Sequence, residues 1–274
     1  MSEPIEFVLT RDEVGLAGEE AGTGDAVLLL HGLSATRRYL VHGSRALERA
    51  GHRVVAFDAR GHGVSSPAPT PDDYTYPAMV DDAVAVLDHL RIERAHLVGQ
   101  SMGSATAVAL ALTHPGRVRS LTIITPAHRG APSGAQALER WDALAAALEE
   151  GGPDAFVAAL EPFSIEERFR DSVRRVIRQR LGRHAHPEAV ADALRGVPRS
   201  HAFEGMEALE GLAVPTLVVG SRDEADPDHP LAVAEEYAAL IPGATYTVEE
   251  PGQSPLAWRG GALSKAIAAH LRTV

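Results

Sequence analysis

Cysteine is absent from the chain, which excludes disulfide bonds, thiolate metal ligands and a cysteine nucleophile. Long apolar runs are absent too: no stretch approaches the roughly 18 uninterrupted apolar residues of a transmembrane helix. The first residues, MSEPIEFVLTRDE, carry acidic side chains and no apolar core of the kind a secretory leader needs. Positive charge is in deficit. Against 37 Asp and Glu stand 26 Lys and Arg, for a net charge of -11, and such a surface repels phosphate backbones. These absences point to a soluble cytoplasmic protein that binds neither membrane nor nucleic acid. No internal repeat or low-complexity linker divides the 274 residues, a length that suits one large domain or a domain with an insertion.

What is present alternates. Ile5 to Leu9 and Glu13 to Glu20 read as a hairpin, and Ala26 to Leu30 is a continuous apolar run of the kind buried on both faces of a parallel sheet. A helical pattern over 36–50, closed by Gly51, is followed by a strand from Arg53 to Phe57, a turn-rich loop and a helix over 77–90. Further strands are expected at 94–98 and from Val118 to Thr125. Between Pro126 and Gly205 only helices are legible, near 135–150, 153–161, 165–182 and 187–196. Alternation then resumes with Pro215 to Gly220, a helix over 230–240, Ala244 to Val248 and a helix over 262–272. The fold class predicted is α/β: a mostly parallel sheet flanked by helices, with residues 1–125 and 206–274 as the core and 126–205 as an all-helical cap. Ligands of such sheets bind beyond the carboxyl ends of the strands, where the insertion leaves and returns.

One serine stands at that edge. In VGQSMG, residues 98–103, Ser101 lies between a strand and a helix-prone run, flanked by Gly99 and Gly103. A serine at the apex of so sharp a turn needs neighbours without a Cβ, and its position at a helix N-terminus favours a developing oxyanion. A surface turn serine is the plainer alternative.

His31 and Gly32 after the third strand, DARGHGVS over 58–65, GQSMG, and the late acidic loop GSRDEADP together resemble the α/β-hydrolase family, in its cap-bearing branch of esterases, lactonases and carbon–carbon bond hydrolases. The resemblance implies Ser101 as nucleophile, the backbone N–H groups of Leu33 and Met102 as oxyanion hole, and Asp223 as the orienting acid, with Asp226 as fallback. Turn chemistry alone also accounts for that loop: Asp223, Asp226, Asp228 and His229, with Pro227 and Pro230, can cap the next helix.

The third member departs from the family pattern. The loop after the last strand reads EEPGQSPLAW, with Gln253 where the histidine belongs, and no histidine occurs between Ala244 and Ala269. Glutamine has no lone pair basic enough to take a serine proton, and loss of the base lowers turnover by roughly 10⁴ to 10⁶. Three explanations stand: an engineered replacement, another base, or a binding protein that keeps the pocket. Glu249 and Glu250 read as solvated charges at the strand end. His128 lies at the carboxyl edge and lines the pocket, faces solvent or replaces the base, and His201 bridges cap to core or hangs over the serine. His31 and His62 order their loops.

The cap also holds RFRDSVRRVIRQRLGR, with seven arginines from Arg168 to Arg183, most on a wet helix face. Trp141, Leu144, Leu148, Phe156, Leu160 and Phe163 are candidates to line a pocket or to pack the cap. The expectation is a cofactor-free and metal-free serine hydrolase, monomer or homodimer, acting on a small ester, lactone or similar carbonyl compound. His31, Gly32, His128 and Trp141 are the candidate substrate-binding residues. A non-catalytic small-molecule binding protein is the alternative.

Overall fold

The computed structural model describes residues 3–163, 165–222, 229–253, 258 and 261–274. Eight strands form one sheet: β1 (Ile5–Arg11), β2 (Val14–Ala21), β3 (Ala26–Leu30), β4 (Arg53–Phe57), β5 (Ala95–Gln100), β6 (Val118–Ile124), β7 (Thr216–Val219) and β8 (Thr245–Thr247). Their spatial order is β1-β2-β4-β3-β5-β6-β7-β8, antiparallel over the first two pairings and parallel from β4 to β8. Parallel pairing sends the ends of β3, β4, β5, β6 and β7 to one edge, which brings His31, Asp58, Ser101, Thr125 and Gly220 to the same side of the molecule.

The apolar runs are buried because both faces are covered. On one face Leu28, Leu30, Val55, Leu97, Leu121 and Ile123 pack against α2 (Tyr76–His89), α3 (Met102–Thr113) and α7 (Leu231–Leu240). On the other, Val27, Leu29, Val54, Val98 and Val219 meet the short α1 (Ala46–Arg49) and α8 (Gly261–Leu271). Each such side chain contributes about 1.5–3 kcal/mol relative to exposure. Thr75 caps α2 by accepting the Ala78 N–H at 3.3 Å. Among the described residues, no helix is long and apolar enough to cross a membrane.

The helix expected over 36–50 is reduced to Ala46–Arg49. Tertiary tethers override the local pattern: the Arg37 N–H donates to Asp58 Oδ1 at 2.8 Å and its guanidinium pairs with the same carboxylate. His42 and Gly43 then take positive φ, of 48° and 72°.

Between β6 and β7 the chain forms α4 (Ala135–Leu160), α5 (Glu167–Leu181) and α6 (Pro187–Gly196). α4 breaks at Gly152, at φ 63°, immediately before Pro153. This insertion has its own core of Leu144, Leu148, Phe156, Val157, Leu181 and Leu194. Leu144, Leu148 and Phe156 are therefore interior packing rather than pocket wall. Trp141, Leu160 and Phe163 are only half-buried against that core, which Leu33 of the sheet edge also joins. On the arginine face, Arg174 bonds Glu161 at 2.6 Å and Asp171 at 2.8 Å, Arg178 pairs with Asp154, and Arg168 pairs with Glu166. Those pairings describe a solvated ionic face.

Candidate active site

Ser101 sits where the sheet edge turns sharply into α3. Its backbone has φ 52° and ψ -114°, a conformation that costs a non-glycine residue roughly 1–3 kcal/mol and persists only when its surroundings impose it. Close backbone packing imposes it here. A Cβ on Gly99 would lie 2.1 Å from Gly103 O, and one on Gly103 would lie 2.0 Å from Leu30 O. The Ser101 N–H donates to Ile124 O at 3.0 Å. The buried Ser104 hydroxyl, 2.8 Å from Gly99 O and 2.9 Å from Ile124 O, ties the turn to two strands.

The imidazole of His229 meets that serine. Its Nε2 lies 2.7 Å from Ser101 Oγ, within direct proton-transfer distance. His229 immediately precedes Pro230, the N-cap of α7, at the end of the loop that leaves β7. The expected helix-capping histidine thus faces the serine hydroxyl. The signal was a histidine six residues beyond Asp223 in a loop already expected at the catalytic edge.

Gln253, assigned to the position of the missing histidine, is exposed, and its backbone N–H closes a turn to Glu250 O at 3.1 Å. Among the described residues it makes no hydrogen bond to Ser101. Asp223, the fallback Asp226, and Asp228 lie outside the described residues. Glu249 corrects the expectation of a solvated charge: it is 4% exposed. Its carboxylate accepts from Ser221 Oγ at 2.9 Å, from the Arg222 N–H at 2.8 Å and from Trp258 Nε1 at 2.9 Å. It anchors the start of the loop that ends at His229. Glu250 is exposed.

Gly32 abuts the serine, since a Cβ added to it would touch Ser101 Cβ at 3.4 Å. Leu33 follows, and Met102 opens α3, where the first N–H groups of a helix have no intrahelical acceptor. Among the described residues neither amide has a protein acceptor. Both ring nitrogens of His31 are engaged by the backbone: Nε2 accepts the Ala59 N–H at 2.9 Å, so Nδ1 donates to Gly32 O at 2.8 Å. His31 orders the loop beside the serine and has no nitrogen left to offer a ligand. Burial pushes its basicity down.

His128 accepts the Gly130 N–H through Nδ1 at 2.9 Å and stands edge-on to Tyr76. Burial pushes it down to about 4. It makes no hydrogen bond to Ser101 among the described residues. His201 is exposed, and Trp141 is half-buried in the insertion. Among the described residues, no group of three or more His, Asp or Glu side chains is placed to hold a metal ion.

Comparison with known proteins bears on the family and the fold. The sequence pattern described as "alpha/beta hydrolase fold" matches residues 25–258. The "Putative carbamate hydrolase RutD" of Variovorax paradoxus is 33% identical over 203 residues, covering 74% of this chain and 75% of that protein. The enol-lactonase of Burkholderia xenovorans LB400 superposes with a TM-score of 0.79 at 25% identity, over 97% of this chain and 99% of that one. A thermophilic esterase from Thermogutta terrifontis gives 0.78 at 28% identity, over 99% of each. With a strand-to-helix serine at the carboxyl edge of an eight-stranded, mostly parallel sheet, the chain belongs to the α/β-hydrolase fold family.

Proposed function

We propose that the protein is a serine hydrolase of small ester, lactone or carbamate substrates, with Ser101 as nucleophile and His229, in place of the histidine missing at Gln253, as general base. The observation that carries this reading is the 2.7 Å contact between His229 Nε2 and Ser101 Oγ. As the Ser101 oxygen attacks the substrate carbonyl, His229 takes its proton, and the Leu33 and Met102 N–H groups receive the developing oxyanion. The imidazolium then gives its proton to the leaving oxygen or nitrogen. In the second half His229 deprotonates a water that attacks the acyl-enzyme, and Ser101 recovers its proton. The orienting carboxylate that the family pattern implies is Asp223, with Asp226 as fallback. The insertion at 126–205 serves as the cap over this edge.

The substrate classes follow from chemistry shared by the relatives' names. Carbamate, enol-lactone and ester each join a carbonyl carbon to a heteroatom leaving group, which this two-step transfer requires. The alternative of a non-catalytic binding protein is argued from the lack of a base, and the His229 contact favours the catalytic reading over it. The test is labelling with a fluorophosphonate probe. Wild type is expected to be labelled at Ser101, Ser101→Ala not at all, and His229→Ala slower by on the order of 10² or more. Equal labelling of wild type and His229→Ala would count against the reading.

A further inference from the structure

One histidine of the insertion bonds directly to the backbone of the loop that carries Leu33. His184, in the segment joining α5 to α6, accepts the Gly63 N–H through Nδ1 at 2.9 Å, which leaves its Nε2–H to donate to Ser34 O at 3.1 Å. Next to it the Ala185 N–H donates to Gly63 O at 2.7 Å. Ser34 directly follows Leu33 and stands at φ 61°, a left-handed conformation that a non-glycine residue holds only when its surroundings demand it. Its own N–H points to His62 Nε2 at 3.4 Å. Ser34 is thus gripped on both sides of its backbone, by His62 from the sheet edge and by His184 from the insertion.

The grip requires neutral rings. His62 Nδ1 donates to Arg60 O at 2.9 Å, and the His62 and His184 rings meet edge to face, 5.6 Å between centroids. Protonation of His184 at Nδ1 would set a second N–H against that of Gly63. Burial prevents it, pushing His184 down to about 4 and His62 well below its usual range. Around the cluster, Asp58 is held by Arg37 and by the Val64 N–H.

We propose that His184 is a positioning residue that sets the Leu33 amide of the oxyanion hole, so that catalytic geometry depends on docking of the helical insertion. The proposal rests on the reading of Ser101 and the Leu33 N–H given above. Nothing else from the insertion bonds to the Leu33–Ala35 backbone among the described residues. Loss of the His184 bond would therefore loosen the backbone that carries the Leu33 N–H, while the contact between Ser101 and His229 does not involve His184.

The test is steady-state hydrolysis of p-nitrophenyl acetate together with amide hydrogen exchange of residues 32–36. His184→Ala is expected to lower kcat by about tenfold or more with KM changed less than about threefold, since an oxyanion donor acts in the transition state. His184→Gln, whose amide can accept from Gly63 and donate to Ser34, is expected to recover kcat to within about threefold, whereas His184→Leu is not. Exchange at Ala35, whose N–H bonds Gly32 O at 3.0 Å, should speed up in the Ala and Leu variants and return in Gln. Unchanged kcat in a folded His184→Ala protein overturns the proposal, as does equal activity of the Gln and Leu variants. If exchange responds as stated but Ser101→Ala hydrolyses as fast as wild type, the reading of Ser101 has failed and not the contact.

Discussion

His229 and Ser101 are 128 residues apart in the chain and 2.7 Å apart at their reactive atoms. The imidazole enters from the loop after β7, whereas the family pattern brings it from the loop after β8, where Gln253 lies. Two loops leaving neighbouring strands at one sheet edge can each reach the serine. On the proposed reading, the base comes from the loop after β7 while the nucleophile keeps the family position.

Gln253 is accordingly expected to be dispensable. Gln253→Ala should change kcat/KM for a p-nitrophenyl ester by less than about threefold, because an exposed side chain with no bond to Ser101 contributes little to the transition state. A loss of a hundredfold would show that the loop after β8 takes part in the chemistry.

The strand-to-helix turn at Ser101 has no room for a side chain at Gly103. Gly103→Ala would set a methyl group 2.0 Å from Leu30 O, and the backbone of β3 cannot yield as a flexible side chain can. Urea unfolding is expected to show a loss of more than about 2 kcal/mol, or no soluble protein at all. Wild-type stability would mean that the strand-to-helix turn is looser than described.

Arg60 and Asp82 are 3% and 1% exposed and share two bonds of 2.8 Å. Arg60→Ala leaves Asp82 buried with only the longer contact to Arg11, at 3.3 Å. The expected loss is about 3–5 kcal/mol, whereas the double replacement Arg60→Met with Asp82→Leu should cost much less, since desolvation of the pair offsets most of its attraction. Equal losses in the two proteins would contradict this account of the pair.

Stability should also fall in acid. His128 and His184 are held neutral, both pushed by burial from 6.5 to about 4. Because the unfolded chain binds these protons more readily, their contribution is complete above about pH 6.5 and is lost as pH falls toward 4. Each contributes on the order of 1–3 kcal/mol. Chemical unfolding across that range should show a smaller decline in His184→Gln than in wild type, and the same decline in both would exclude His184 as a titrating group.

Local signals carried the architecture. Apolar runs such as AVLLL mark strands buried on two faces, and the glycines around Ser101 mark the strand-to-helix turn, because close backbone approach leaves a trace in residue type. The His229 contact left none. It depends on the path of a loop after β7, and a histidine before a proline at a helix start reads equally well as capping chemistry. Glu249 is illegible for the same reason: an acid at a strand end reads as solvated, whereas Ser221, Arg222 and Trp258 close over it in the fold. At 36–50 the helical pattern was real, but the bonds from Arg37 to Asp58 outweighed it. Each miss is a tertiary contact overriding a local preference.

The base assignment is tested most directly by kcat/KM for p-nitrophenyl acetate in wild type, His229→Ala and Gln253→Ala, measured side by side. An active wild type, a near-normal Gln253→Ala, and a loss of at least about 10³ in His229→Ala are expected. Activity that survives in His229→Ala would contradict that assignment.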